Sequence, residues 1–261
     1  RGIAPVERLL ERLLREWKPD AVVCTYMVYP YMLDSLASRT GRAVPYLTVV
    51  TDSFVINKSW LCSKSPLWAV TDPWTRAIME EKGLPQDRLR VTGFPVNPVL
   101  GALAKEHPLS WKEGEPFRVL YFAQRSARHA RAELEAMLEA DPAVYVTCIL
   151  GRKFRRIYPH IRDLRAKYGK RLTVRGWTRR VPSYLAASHV VVGKAGGATV
   201  HEVLAAARPM LVNFLLPGQE EGNTRLLEKL GGGGHVRAAG CAMNRTAEEG
   251  VARLLAAIEA S

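Results

Sequence analysis

Val190-Val191-Val192 is a wholly apolar, β-branched run that leads directly into a glycine-rich turn, and short runs of this kind recur along the chain with amphipathic stretches between them. A strand that lacks apolar–polar alternation is buried on both faces, the condition of a parallel strand covered by helices on each side. The spacing predicts strands at 21–24, 46–50 and 67–70, with helices at 5–17 and 73–82 around them. The first helix carries Val6, Leu9, Leu10, Leu13, Leu14 and Trp17 at three- and four-residue intervals. A second series has strands at 118–123, 145–150, 172–175, 190–193 and 210–214. Its helices are expected at 128–140, 158–168, 182–187, 199–207 and 221–230, with a last one at 246–259. Strands alternating with helices predict α/β architecture with a doubly wound sheet. Between the two series, Pro95, Pro98, Gly101, Pro108, Gly114 and Pro116 mark a boundary. The expected organisation is a first domain at 1–96, a linker at 97–116, a second domain at 117–245 and a terminal helix at 246–261.

Composition narrows the class further. The 261 residues are 48% hydrophobic and 24% charged, which excludes disordered, collagen-like and coiled-coil chains. Lys plus Arg number 38 against 25 for Asp plus Glu, a formal charge of +13. Such a surface suits phosphates, whether of nucleic acid, an anionic membrane face or a phosphorylated substrate, although the arginine bias reads equally as a property of the genome's base composition. The charge is scattered and shows no aromatic–basic stripe, so nucleic acid is not an expected partner. Cys24, Cys62, Cys148 and Cys241 lie far apart without a C-x-x-C pair, which predicts reduced cysteines and neither a disulfide framework nor a zinc site. No run approaches the roughly 18 uncharged apolar residues of a membrane span.

Chemistry is expected beyond the carboxyl ends of the strands, where doubly wound sheets bind their ligands. Gly193-Lys194-Ala195-Gly196-Gly197-Ala198-Thr199 opens a helix, and free N–H groups at the positive end of a helix dipole suit a diphosphate. It is neither G-x-G-x-x-G nor a Walker P-loop. Thr199 followed by Glu202 reads by itself as a capping box with no function. Alternatively, Glu202 reaches a ribose whose phosphates lie over the same helix end. After the next strand, Pro217-Gly218-Gln219-Glu220-Glu221-Gly222-Asn223 offers polar side chains suited to sugar hydroxyls, or simply a solvated loop. Gly176-Trp177-Thr178 places a flat ring beside a turn; as a lone feature Trp177 reads as packing.

Together the Lys194-Ala195-Gly196-Gly197…Thr199…Glu202 series, Pro209, and Pro217-Gly218-Gln219-Glu220 with Gly222-Asn223 resemble glycosyltransferase family 28, the GT-B transferases related to monogalactosyldiacylglycerol synthase, processive diacylglycerol glucosyltransferase and the peptidoglycan N-acetylglucosaminyltransferase. Thr51-Asp52 with Trp60, and Val91-Thr92-Gly93-Phe94-Pro95-Val96, resemble segments of its diacylglycerol branch. The resemblance implies two Rossmann-like domains and an inverting transfer of a hexose or N-acetylhexosamine from a UDP-sugar to a diacylglycerol-like lipid. It implies no bound metal or cofactor, and a peripheral place on the cytoplasmic face of an anionic membrane. Glu202 would bind the ribose of UDP, the turn from Lys194 through Gly196 and Gly197 to Thr199 the diphosphate, and Gln219, Glu220 and Asn223 the sugar. Gly176, Trp177 and Thr178 would face the uracil.

The chain departs from the family pattern in three places. A glycine-rich loop bearing the catalytic base is expected upstream of Arg1, so on the order of 100 residues of the first domain are expected to precede this chain. Gly231-Gly232-Gly233-Gly234-His235 imitates that loop but falls late, and reads as a helix C-cap. Asn57 replaces the family's histidine, leaving Asp52 as the base candidate within the chain. The usually glycine-rich first loop of the second domain reads Gln124-Arg125-Ser126-Ala127-Arg128-His129, where Arg125 and Arg128 would pair with phosphate directly. A catalytically silent UDP-sugar-binding module and a UDP-N-acetylglucosamine epimerase are the alternative readings.

Overall fold

The computed structural model describes residues 4–112, 114–216 and 220–232, and the chain divides into two compact units, Arg1–Pro95 and Val96–Ser261. The first comprises α1 (Ala4–Trp17), β1 (Val22–Cys24), α2 (Val28–Thr40), β2 (Tyr46–Val49), β3 (Trp68–Val70), α3 (Pro73–Glu81) and β4 (Leu89–Val91). Its sheet is parallel in the order β1-β2-β3-β4. Trp60, Trp68, Val70, Met79 and Leu89 form its core. The expected start of α3 is found: Asp72 accepts from Thr75 N at 2.7 Å, Pro73 occupies the first turn, and Gly83 follows the helix at φ +93°.

Three expectations for this unit are corrected. The apolar run at 21–24 is not buried on both faces, because β1 is an edge strand and Val23 is 59% exposed. A short apolar run carries no sign of whether its strand is central or at an edge. None of the residues of α1 is fully buried: Leu10, Leu13 and Leu14 of its apolar stripe are half-buried, while Val6, Leu9 and Trp17, the last at 74% exposure, are exposed. Finally, α2 and β4 were not expected. In α2 an aromatic start with Pro30 hides the buried stripe of Met32, Leu33 and Leu36.

The second unit runs α4 (Val99–Glu106), β5 (Phe117–Phe122), α5 (Ala127–Ala140), β6 (Val144–Ile149), α6 (Phe154–Ile157), α7 (Arg162–Tyr168), β7 (Leu172–Arg175), α8 (Val181–Ala186), β8 (Val190–Lys194), α9 (Gly197–Ala205), β9 (Met210–Phe214) and α10 (Glu221–Lys229). Its five parallel strands lie in the order β7-β6-β5-β8-β9. The chain winds outward from β5 in one direction, then returns to β8 on its other side. That reversal opens a crevice beyond the carboxyl ends of β5 and β8, the place where such sheets hold ligands. Residues 97–116, expected as a linker, contain α4, whose Leu100 is buried. The single helix expected at 158–168 is divided, and α7 begins only after a turn around Pro159. The helix expected at 246–259 lies outside the described residues.

The ends of three helices converge on one buried side chain. Arg208 donates from Nη2 to the carbonyls of His107, at the end of α4, and Ala186, in α8, and from Nη1 to the carbonyl of Ala207 beyond α9. Each helix end carries roughly half a negative charge, so the buried guanidinium is compensated by helix ends, with no carboxylate partner among the described residues. The end of α9 has Ala207 N bonded to Leu204 O and Arg208 N to Val203 O, with Ala207 at φ +51°. This is a Schellman arrangement with alanine where glycine is favoured. The end of α10 has the same bonds, Gly231 N to Glu228 O and Gly232 N to Leu227 O, with Gly231 at φ +95°. There the C-cap read from the glycine run is found, and Gly233 onward lies outside the described residues.

Candidate functional site

The glycine turn after β8 is where the sequence places it, but the helix behind it starts earlier than expected. α9 begins at Gly197 with Gly196 as its N-cap (φ −69°, ψ 139°) and no side-chain cap. Thr199 is therefore the third helical residue and Glu202 the sixth, and the capping box does not form. The N–H groups of the first helical turn have no intrahelical acceptor, since the first such bond runs from Val200 N to Gly196 O at 2.9 Å. A Cβ on Gly196 would stand 3.1 Å from Lys194 Nζ, so the turn suits a small residue. Glu202 is half-buried, makes no hydrogen bond or ion pair among the described residues, and has its carboxyl pKa raised by burial. A carboxylate desolvated without a partner is a poor structural element and a good acceptor for two hydroxyls.

Lys194 and Glu220 meet at this turn. Lys194 Nζ bonds Glu220 Oε1, while Glu220 Oε2 accepts from Leu216 N at 3.0 Å. Glu220 is 5% exposed, so its carboxylate links the turns that follow β8 and β9. Asn223, in the first turn of α10, donates from Nδ2 to Ala195 O at 2.9 Å, and its buried Oδ1 has no partner among the described residues. Lys194, Gly196, Gly197, Thr199, Glu202, Glu220 and Asn223 are thus drawn to one corner of the second unit. Gln219 lies outside the described residues.

Arg125 follows β5, on the near side of the crevice. Its guanidinium lies 5.3 Å from the Phe214 ring centroid and its Nη1 is 3.4 Å from Glu133 Oε1. Phe214 is paired with Lys194, and its carbonyl accepts from Ala195 N at 3.1 Å. Arg125 therefore borders the glycine turn that follows β8. Arg128, in the first turn of α5, is exposed. Sequence reasoning missed Glu133 altogether. The available signal was an acid on the buried stripe of α5, beside Leu134 and between Ala130 and Met137.

Trp177 does not pack, contrary to its reading as a lone feature. It is 62% exposed, with Arg179 5.7 Å from its ring centroid, so a flat apolar face is left to solvent. Thr178 caps the following turn by accepting from Arg180 N at 3.0 Å, and Gly176 lies against the Phe154 ring.

In the first unit Asp52 follows β2. Its Oδ2 accepts from Trp60 Nε1 at 2.7 Å, and burial raises its pKa despite that bond. Two residues on, Phe54 adopts φ +57°, a strained backbone that holds its ring 5.6 Å from Trp74. Asn57, at the family's histidine position, caps a short turn by accepting from Ser59 N at 2.9 Å.

The chain is similar to known proteins in sequence and in fold. Residues 4–96 match the family described as monogalactosyldiacylglycerol (MGDG) synthase. The chain is 25% identical over 258 residues to the processive diacylglycerol beta-glucosyltransferase of Bacillus subtilis, covering 95% of this chain and 63% of that protein. It is 28% identical over 235 residues to the Staphylococcus epidermidis protein of the same name, covering 87% and 58%. The chain thus spans about three-fifths of the length of the curated relatives it matches. Among solved structures, Acinetobacter baumannii MurG superimposes with TM-score 0.59 at 14% identity, covering 95% of this chain and 68% of that one. A putative UDP-N-acetylglucosamine 2-epimerase from Listeria monocytogenes gives 0.61 at 13%, covering 99% and 71%. The fold is accordingly of the GT-B type, two Rossmann-like α/β units. Within that class, the chain is similar over residues 4–96 to the monogalactosyldiacylglycerol synthase family and, over most of its length, to processive diacylglycerol beta-glucosyltransferases.

Proposed function

We propose that this chain carries the donor site, and part of the acceptor side, of an inverting transferase that moves a hexose or N-acetylhexosamine from a UDP-sugar to a diacylglycerol-like lipid. The observation that carries the reading is Glu202, half-buried and without a side-chain partner among the described residues, one turn along a helix whose amino end has no side-chain cap among them. In this reading Glu202 accepts from the ribose hydroxyls, and the turn from Gly196 to Thr199 with Arg125 and Lys194 receives the diphosphate. The exposed face of Trp177 is offered to uracil, with Gly176 and Thr178 beside it, while Gln219, Glu220 and Asn223 serve the sugar side. As UDP departs, its growing negative charge meets N–H groups and cations already in place, which lowers the barrier without reorganisation. Asp52 is the base candidate in this chain; taking the acceptor proton is worth about 10²–10⁴ in rate.

The lipid acceptor and the place at the cytoplasmic face of a membrane rest on the matched relatives' names, the net charge of +13 and the exposed Val6, Leu9 and Trp17 of α1. None of the described helices is long and apolar enough to cross a membrane. Anionic headgroups attract each basic residue near the surface by about 1 kcal/mol. A second reading, a silent binding module, is favoured by Asn57, whose side chain is spent on a cap. Calorimetric titration with UDP tests the donor site, and radiolabelled UDP-sugars with lipid extract test transfer. Binding without transfer by the full-length protein would support the module; absence of UDP binding would remove both readings.

A further inference from the structure

Glu133 lies on the face of α5 that packs on the sheet, and its carboxylate gathers three donors from three different segments. Tyr121 OH, in β5, and Asn213 Nδ2, in β9, both donate to Oε2, the latter at 2.8 Å. Arg125 Nη1 reaches Oε1 at 3.4 Å. Tyr121 is fully buried, and burial reinforced by the neighbouring carboxylate keeps its phenol protonated. The tyrosine and asparagine thus act as fixed donors that leave Glu133 little freedom. Glu133 in turn engages a single N–H of Arg125, whose guanidinium is also laid over the Phe214 ring. A guanidinium has five N–H donors. With its side chain 32% exposed, Arg125 keeps part of that fork open to solvent.

The placement explains a departure from the family pattern. A glycine-rich loop after the first strand of the second unit would offer backbone N–H groups to a diphosphate. Here Gln124-Arg125-Ser126 stands in that place, and an arginine serves an anion only if its long side chain is held. Aligning the side chain in advance spares the loss of rotamer freedom on binding.

We propose that Glu133, locked by Tyr121 and Asn213, is the positioning residue that holds Arg125 ready for the diphosphate of a nucleoside-diphosphate donor. The proposal rests on the donor-site reading above. Its test compares ligands that differ only in the part Arg125 would touch. UDP, uridine and inorganic pyrophosphate are titrated into the wild-type chain, Glu133→Gln, Arg125→Ala and the double variant, with circular dichroism to verify folding. We expect Glu133→Gln to weaken UDP and pyrophosphate about tenfold while leaving uridine unchanged. Arg125→Ala should do at least as much, and the double variant should lose no more than Arg125→Ala alone. Equal losses for uridine and UDP would mean a structural role for Glu133. Additive losses in the double variant, or an unchanged pyrophosphate affinity in folded Glu133→Gln, would overturn the proposal. Should the wild type bind pyrophosphate with this dependence but not UDP, the positioning stands and the nucleotide reading falls; if it binds neither, both fall. Tyr121→Phe supplies a second variant that keeps the carboxylate but loosens it, and a smaller loss confined to the phosphate ligands is expected.

Discussion

Replacing Glu202 with glutamine separates a binding residue from a structural one, because the two roles predict opposite signs. Burial raises the folded-state pKa of Glu202, and no donor among the described residues offsets it. The folded chain therefore holds this proton more tightly than the unfolded chain, whose carboxyl titrates near 4.5. Protonation favours the folded state, so the contribution is favourable below that value and is lost as pH rises through the elevated folded pKa. At neutral pH the ionised Glu202 is a liability, and the neutral isostere removes it. We expect Glu202→Gln to melt at a temperature equal to or above that of the parent at pH 7, with the difference narrowing on acidification. UDP binding should move the other way. Two ribose hydroxyls donating to a carboxylate contribute about 1.5–3 kcal/mol, so the variant should bind roughly 10- to 100-fold more weakly. Bound hydroxyls favour the ionised form, so the parent's affinity should itself fall as pH drops through the raised pKa. Uridine, lacking the phosphate that titrates near about 6, should show the same fall. Scanning calorimetry and isothermal titration on the same preparations suffice. A lower melting temperature with unchanged UDP affinity would refute the reasoning and make Glu202 a structural residue.

Arg208→Met leaves three helix-end carbonyls without a donor; at about 1–3 kcal/mol each, a loss of at least about 3 kcal/mol is expected, and a melting temperature within 2 °C or so of the parent would contradict the three-helix role. Ala207→Gly should stabilise by roughly 0.5–1 kcal/mol, since glycine adopts the left-handed C-cap without strain, provided denaturant melts show an unchanged slope. Trp60→Phe removes the N–H that favours ionised Asp52, so the carboxyl titration followed by carbon NMR should move further upward; a downward shift would mean that another donor dominates.

Much of the architecture was legible because it rests on local pattern. Parallel strands buried on both faces are continuous apolar runs, and β5 to β9 fall where those runs lie. Pro73 and Gly231 mark a helix start and a helix end by backbone restrictions that act within a turn. The turn at Gly196 and the residues Glu202, Glu220 and Asn223 were legible as a motif, and the fold brings them to one corner. What the pattern did not hold was anything set by sheet order or by partners distant in sequence. Val23 reads as core but is exposed, because only the pairing of strands makes β1 an edge. Thr199 and Glu202 have capping-box spacing, yet Gly196 starts the helix and frees both. Trp177 has the composition of packing and the exposure of a platform. Glu133 is one acid among several on α5 until Tyr121, Arg125 and Asn213, the last 80 positions away, close around it. Hydrophobic period and backbone restriction are properties of neighbours along the chain, so the sequence carries them openly. Desolvation and hydrogen-bond partnership arise only once distant segments share a volume, and the tertiary structure alone decides them.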